Sequence, residues 1–240
     1  TTPMPFTFWF HNYAGTREDG EKSQAINFYV PEREGIRKLD WSAETRSDVW
    51  FNNPTRGWTA LADTTRNVGL VFNSDYRYLT DLHSWGLQDP DGLPTLEWYL
   101  SEVSVPHGGS FKTTFTLTPF GDFGEISGAS STMVGTINYE KKGADTQAKV
   151  SATLVAARKT QAVATLRYRV LPLGPWQQLL TKNVSLDVDK PLSLSTDFQP
   201  KTIGTHVFSL IVEKDGEELV DLEEPVSIGK PRGDYVLRSK

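Results

Sequence analysis

The stretch SFKTTFTLTPF, residues 110–120, sets Phe111, Thr113, Phe115 and Leu117 at odd positions, with Lys112, Thr114, Thr116 and Thr118 between them. A period of two in β-branched and aromatic residues is the signature of a half-buried strand, because successive side chains of an extended chain point to opposite faces. AINFYV (25–30), NVGLVFNSD (67–75) and LEWYLSEVSV (96–105) read the same way, bounded by Gly, Pro, Asn or Asp. Against these stands one short helix candidate, RYLTDLHSW (77–85), of one or two turns. The chain is therefore expected to be all-β, built from antiparallel sheets.

Residue usage divides it in two. Trp9, Trp41, Trp50, Trp58, Trp85 and Trp98 all precede residue 110, as do His11, His83 and His107, leaving Trp176 and His206 for the rest. The natural cut lies in EKKGAD (140–145), giving domains 1–143 and 144–240. After the cut the alternation becomes more regular, in TQAKVSATLVAA, AVATLRYRVL and KNVSLDV. In VFSLIVEKDGEELVDLEE, Asp215-Gly216 sits between two alternating runs, the strongest short hairpin signal. That density of short strands predicts a small immunoglobulin-like or fibronectin-like sandwich.

Composition removes several function classes. A formal net charge of -5 without clustered Lys and Arg argues against nucleic acid as a partner. No apolar run approaches the roughly 18 residues of a membrane-spanning helix, so no membrane span is expected. The absence of cysteine excludes disulfides, thiolate metal sites and cysteine nucleophiles. The four histidines show no i, i+2 or i, i+4 pairing, so no metal site is expected, and no phosphate-cradling or dinucleotide motif calls for a cofactor.

Chemistry is concentrated in a few places. In FTFWFHNYAG (6–15), alternation groups Phe6, Phe8 and Phe10 on one face and Trp9 with His11 on the other. An indole beside an imidazole offers a stacking plane and a titratable group, the parts a sugar site uses; alternatively His11 closes its strand through a backbone hydrogen bond. A second acid or base would come from Glu97, Asp63, Asp75, Asp81 or His83. Glu97, between Leu96 and Trp98, either faces solvent with Tyr99 or is held in a pocket that raises its pKa. DLHSWG (81–86) places His83 and Trp85 on one face if the segment is a strand.

Taken in order, FWFHNYAG, AINFYVPEREGIRKLD, WTALADTTRNVGLVFNSD and LEWYLSEVSVPHGGSFKTTFTLTPF resemble the later half of the galactose mutarotase-like β-supersandwich. The resemblance implies a carbohydrate ligand, with His11 at the position of the family's general acid and Glu97 near that of its general base. It also implies a second polypeptide or an upstream segment that completes the sheet. The leading expectation is a mostly non-catalytic protein that binds glycan in a groove lined by Trp9, His11, Trp58, His83, Trp85 and Trp98. An epimerase-like enzyme using the His11/Glu97 pair, and an assembly protein docking another chain, are the alternatives.

Overall fold

The computed structural model describes residues 3–13, 26–33, 35–41, 48–85, 95–121, 125–142, 147–188 and 190–229, and its long elements are all β-strands. It divides into two compact units, Thr1–Val134 and Gly135–Lys240; the expected cut at 143/144 lies outside the described residues.

The first unit contains β1 (Met4–Phe6), β2 (Trp9–Tyr13), β3 (Ile26–Glu32), β4 (Gly35–Trp41), β5 (Val49–Asn52) and β6 (Trp58–Asp63). It continues with β7 (Val68–Ser74), β8 (Leu79–Trp85), β9 (Thr95–Leu100), β10 (Val103–Val105), β11 (Phe115–Gly121) and β12 (Gly128–Ala129). Strands β11-β7-β6-β3-β4 form one sheet and β2-β9-β8-β5 another, while β1 and β10 pair as a ribbon. Within both main sheets the pairings are antiparallel. Phe28 and Val30 of β3 and Phe72 of β7 meet Phe51, Leu82, Leu96 and Trp98 of the other sheet in one core. The Phe72 and Trp98 rings stand 4.7 Å apart across it. Burying so many large aromatic and aliphatic side chains between two sheets is the main stabilising term of such a sandwich.

Two sequence expectations need correction here. The helix candidate 77–85 is strand β8, entered through a single 3₁₀ turn, Tyr76–Tyr78, whose cap Asp75 accepts from the Arg77 amide. The cause of the misreading is a bulge: Leu79 pairs with Leu100 and Leu82 with Trp98, with the register shifting between Leu79 and Asp81. Two core-facing leucines thus stand three apart, which imitates helical spacing. In 110–120 the inward parity does not run to the end, because Leu117 is 53% exposed while Thr118 and Phe120 are buried. Strand β11 is a sheet edge, so Leu117 overhangs the sandwich. The opposite face of β11 is covered: Thr118 Oγ1 donates to the Ser131 carbonyl, and the Phe120 ring lies over Gly69, where a Cβ would stand 2.2 Å from it.

The second unit contains β13 (Met133–Lys141, which begins at the division), β14 (Ala148–Ala156), β15 (Thr160–Val170), β16 (Gln177–Leu186), β17 (Leu192–Phe198), β18 (Gly204–Lys214) and β19 (Glu217–Ile228). One sheet has the order β16-β15-β18-β19, and the other contains β13, β14 and β17 in that order. Alternate residues Val150, Ala152, Leu154, Leu166, Phe208, Leu210 and Leu222 are all but inaccessible, as a β-sandwich requires of its inner faces. The Tyr139 and Phe198 rings meet Phe208 at 5.7 and 5.1 Å. His206 is fully buried there, its Nδ1 3.2 Å from the Gly204 carbonyl oxygen and its ring stacked on Tyr168, so it belongs to the core. At the β18–β19 hairpin Asp215 and Gly216 have φ of 53° and 82°. Both central residues of the two-residue loop are left-handed, as a twist-matched turn demands.

Among the described residues no helix is long and apolar enough to cross a membrane.

Candidate functional site

Strand register assembles the site. On the sheet β2-β9-β8-β5, Phe10, Trp98, Leu82 and Phe51 are cross-strand neighbours in sequence and carry the core-facing side. The residues on either side of them must face the other way. One row runs His11, Glu97, His83, Trp50; the next runs Trp9, Tyr99, Asp81, Asn52. Thr95 and Trp85 pair beyond Glu97 and His83. The grouping of Trp9 with His11, and of His83 with Trp85, is therefore as alternation predicts.

Glu97 is the hub of this face. Its residue is 4% exposed, yet its carboxylate is surrounded by donors. Oε2 accepts from the Trp9 indole at 3.0 Å and the Tyr99 hydroxyl at 3.1 Å, and stands 3.3 Å from His83 Nδ1. Oε1 accepts from the Thr95 hydroxyl at 3.2 Å and lies 2.8 Å from His11 Nδ1, an ion-pair distance. Burial pushes the Glu97 carboxyl up, but hydrogen bonds from His83, Tyr99 and Thr95 and the charge of His83 outweigh it, so the net displacement is below the ordinary glutamate value. The pocket that raises a pKa is thus replaced by one that lowers it. Tyr99 is displaced upward by its own burial and by giving its hydrogen bond to that carboxylate.

His83 is held from both sides. Its Nδ1 faces Glu97 and its Nε2 faces the carboxylate of Asp48, so both contacts are hydrogen bonds only when both ring nitrogens carry hydrogen. The Trp50 indole stacks on the ring at 4.2 Å and 14°. Tyr99 lies between the outer indoles, 6.3 Å from Trp9 and 5.1 Å from Trp50, and Trp9 meets His11 edge to face at 5.5 Å. The large rings remain open to solvent: Trp9 is 59% exposed, Trp50 43% and Trp85 38%. The result is an aromatic platform around two imidazoles that share one buried anion.

Not every expected residue is here. Trp98 is 0% exposed and belongs to the core on the opposite face of β9, and Trp58, on β6 of the other sheet, is buried as well. Trp98 cannot meet a ligand without opening the sandwich, and Trp58 is buried on a different sheet from this face. Asp63 accepts from the Thr65 and Arg66 amides and Asp75 from Arg77, so both acids hold turns. Trp50, Asp48, Thr95 and Tyr99 join the site unexpected. Tyr99 shares Glu97's parity, and Asp48, Trp50 and Asn52 alternate with Val49 and Phe51, but only the strand order brings β5 beside β8. Among the described residues no cluster is arranged to hold a metal ion. Comparison with family models and with curated protein sequences finds no match.

Proposed function

We propose that the outward face of β2-β9-β8-β5 binds carbohydrate, without catalysing its conversion. The observation that carries this reading is the exposure of Trp9 and Trp50 around the His11–Glu97–His83 row, 59% and 43% respectively. Aromatic planes take the apolar C–H face of a pyranose, while imidazoles and carboxylates at their rim take its hydroxyls. The mutarotase-like resemblance supports the same face, since the His11 and Glu97 it singles out are direct cross-strand partners.

Acid–base catalysis is less well supported. A general base needs a lone pair free for the substrate proton, and the Glu97 oxygens already face five side-chain donors. Its lowered pKa also weakens it as a base. Docking of a second chain gains no support from a need to complete the core, because the two sheets already bury one between them.

Titration of the whole protein with a glycan panel, followed by tryptophan fluorescence, tests the reading. Saturable quenching by at least one glycan class is expected, weakened in Trp9→Ala and Trp50→Ala. A flat response across neutral, amino and acidic sugars rejects it. Polarimetry on aldohexoses is expected to show no acceleration; a rate lost in His11→Ala would restore the enzyme reading.

A further inference from the structure

We infer that the sugar this face selects carries a free ammonium group, with Asp81 as its acceptor; the inference rests on the glycan-binding reading above. Glu97 is consumed by its donors and Asp48 is engaged with His83, but among the described residues the Asp81 side chain has neither a hydrogen-bonding nor an ionic partner. It stands in the row between Tyr99 and Asn52, as the direct cross-strand neighbour of each. Such neighbours lie about 5 Å apart and diagonal ones about 7–8 Å, so a cation held by Asp81 is within reach of the Tyr99 ring and beside Trp50. A carboxylate among π faces is the pairing that recognises ammonium: the anion supplies charge and the rings supply cation–π attraction.

The charge of the surrounding sheet favours the same ligand. Strands β2, β9, β8 and β5 contain no Lys or Arg, while Asp81 and Glu97 are among their outward residues and Asp48 directly precedes β5. Arg37 of β4 reaches the Trp50 carbonyl, but its guanidinium lies over the core ring of Phe51 and 3.6 Å from Glu32, so it is committed elsewhere. A uronate or sulfated sugar would meet carboxylates with no opposing Lys or Arg on the four strands. A neutral sugar would leave Asp81 without an ionic partner.

Calorimetric titration of the full chain with a β-1,4-glucosamine oligomer and its fully N-acetylated counterpart separates the possibilities, since acetylation turns the ammonium into a neutral amide while leaving the sugar rings and their linkage unchanged, and Asp81→Asn controls for the added acetyl group. The free-amine oligomer is expected to bind about tenfold more tightly, the combined size of a partly exposed ion pair and one cation–π contact. That ratio should fall toward one in Asp81→Asn. In the wild type it should also shrink as salt rises from 0.02 to 0.5 M on the order of the Debye argument, a readout independent of whether the variant folds. Equal affinities for the two oligomers, or a ratio indifferent to both salt and Asp81→Asn, overturn the ammonium assignment while leaving carbohydrate binding intact. Binding of neither oligomer, with a neutral hexose polymer bound, also overturns it; no binding of any sugar removes the underlying reading. Tetramethylammonium competing as strongly as the amino sugar would show recognition of a cation without a sugar, and would overturn it too.

Discussion

The indole N–H of Trp9, on a residue more than half exposed, is hydrogen-bonded at 3.0 Å to a carboxylate oxygen of Glu97, which is almost wholly buried. One bond thus ties the solvent-facing platform to the anion beneath it. Replacing Glu97 by Gln keeps the shape but puts an NH2 where one carboxylate oxygen was facing donors. Some of Trp9, Tyr99, Thr95, His11 and His83 then lose their acceptor. Glu97→Gln is expected to cost about 3 kcal/mol, the scale for breaking a buried charge-assisted network. Urea unfolding followed by tryptophan fluorescence reads it; a loss under 1 kcal/mol on the order of a surface ion pair would mean that the network contributes little.

The same network makes a prediction about pH. Because the folded Glu97 carboxyl lies below its ordinary value, the unfolded state takes up a proton first as pH falls. Its stabilising contribution is therefore complete above the unfolded value of about 4.3 and disappears as pH falls through the lower folded one. The stability gap between wild type and Glu97→Gln should narrow as pH falls from about 5 to below about 4. A gap that widens over that interval would reverse the sign of the shift.

Trp9 and Trp98 separate binding from packing. Trp98→Ala removes a 0% exposed ring from between two sheets and should cost about 3–5 kcal/mol. Trp9→Ala gives up mainly one hydrogen bond at a largely exposed position and should cost about 1 kcal/mol, yet weaken glycan binding far more. Parallel unfolding and fluorescence titrations check both; the opposite ranking in stability would place Trp98 outside the core.

That contrast also shows what was legible in the sequence. Alternation sufficed to put Trp9 with His11 and Glu97 with Tyr99, because parity is local to a strand. The same parity separates Trp98 from Glu97, but an indole's appetite for sugar and for a core are chemically alike, so composition alone invited Trp98 and Trp58 into the groove. Trp50 and Asp48 were out of reach for another reason: they join His83 through the β5–β8 pairing, a long-range contact that no local spacing encodes. The bulge between Leu79 and Asp81 hid a strand behind helical spacing. The Asp215-Gly216 turn, by contrast, is encoded by its own two residues and was fully readable.

Two glycines test two different physical reasons for having no side chain. At Gly216, φ is 82° and nothing lies within 4 Å of a built Cβ, so Gly216→Ala should pay only for the left-handed backbone, roughly 1 kcal/mol. The loss should appear as reduced hydrogen-exchange protection of β18 and β19, and no neighbouring substitution should relieve it. At Gly69 the backbone is not left-handed, but a Cβ would stand 2.2 Å from the Phe120 ring and 2.5 Å from the Leu61 carbonyl. Gly69→Ala should therefore cost about 1–3 kcal/mol through overpacking. Trimming the ring in Phe120→Leu should return part of that loss in a double-mutant cycle, because the two sites share one contact. Strict additivity of Gly69→Ala and Phe120→Leu would mean that the ring does not cover this glycine, and that the edge pairing of β11 with β7 is held by its backbone hydrogen bonds alone.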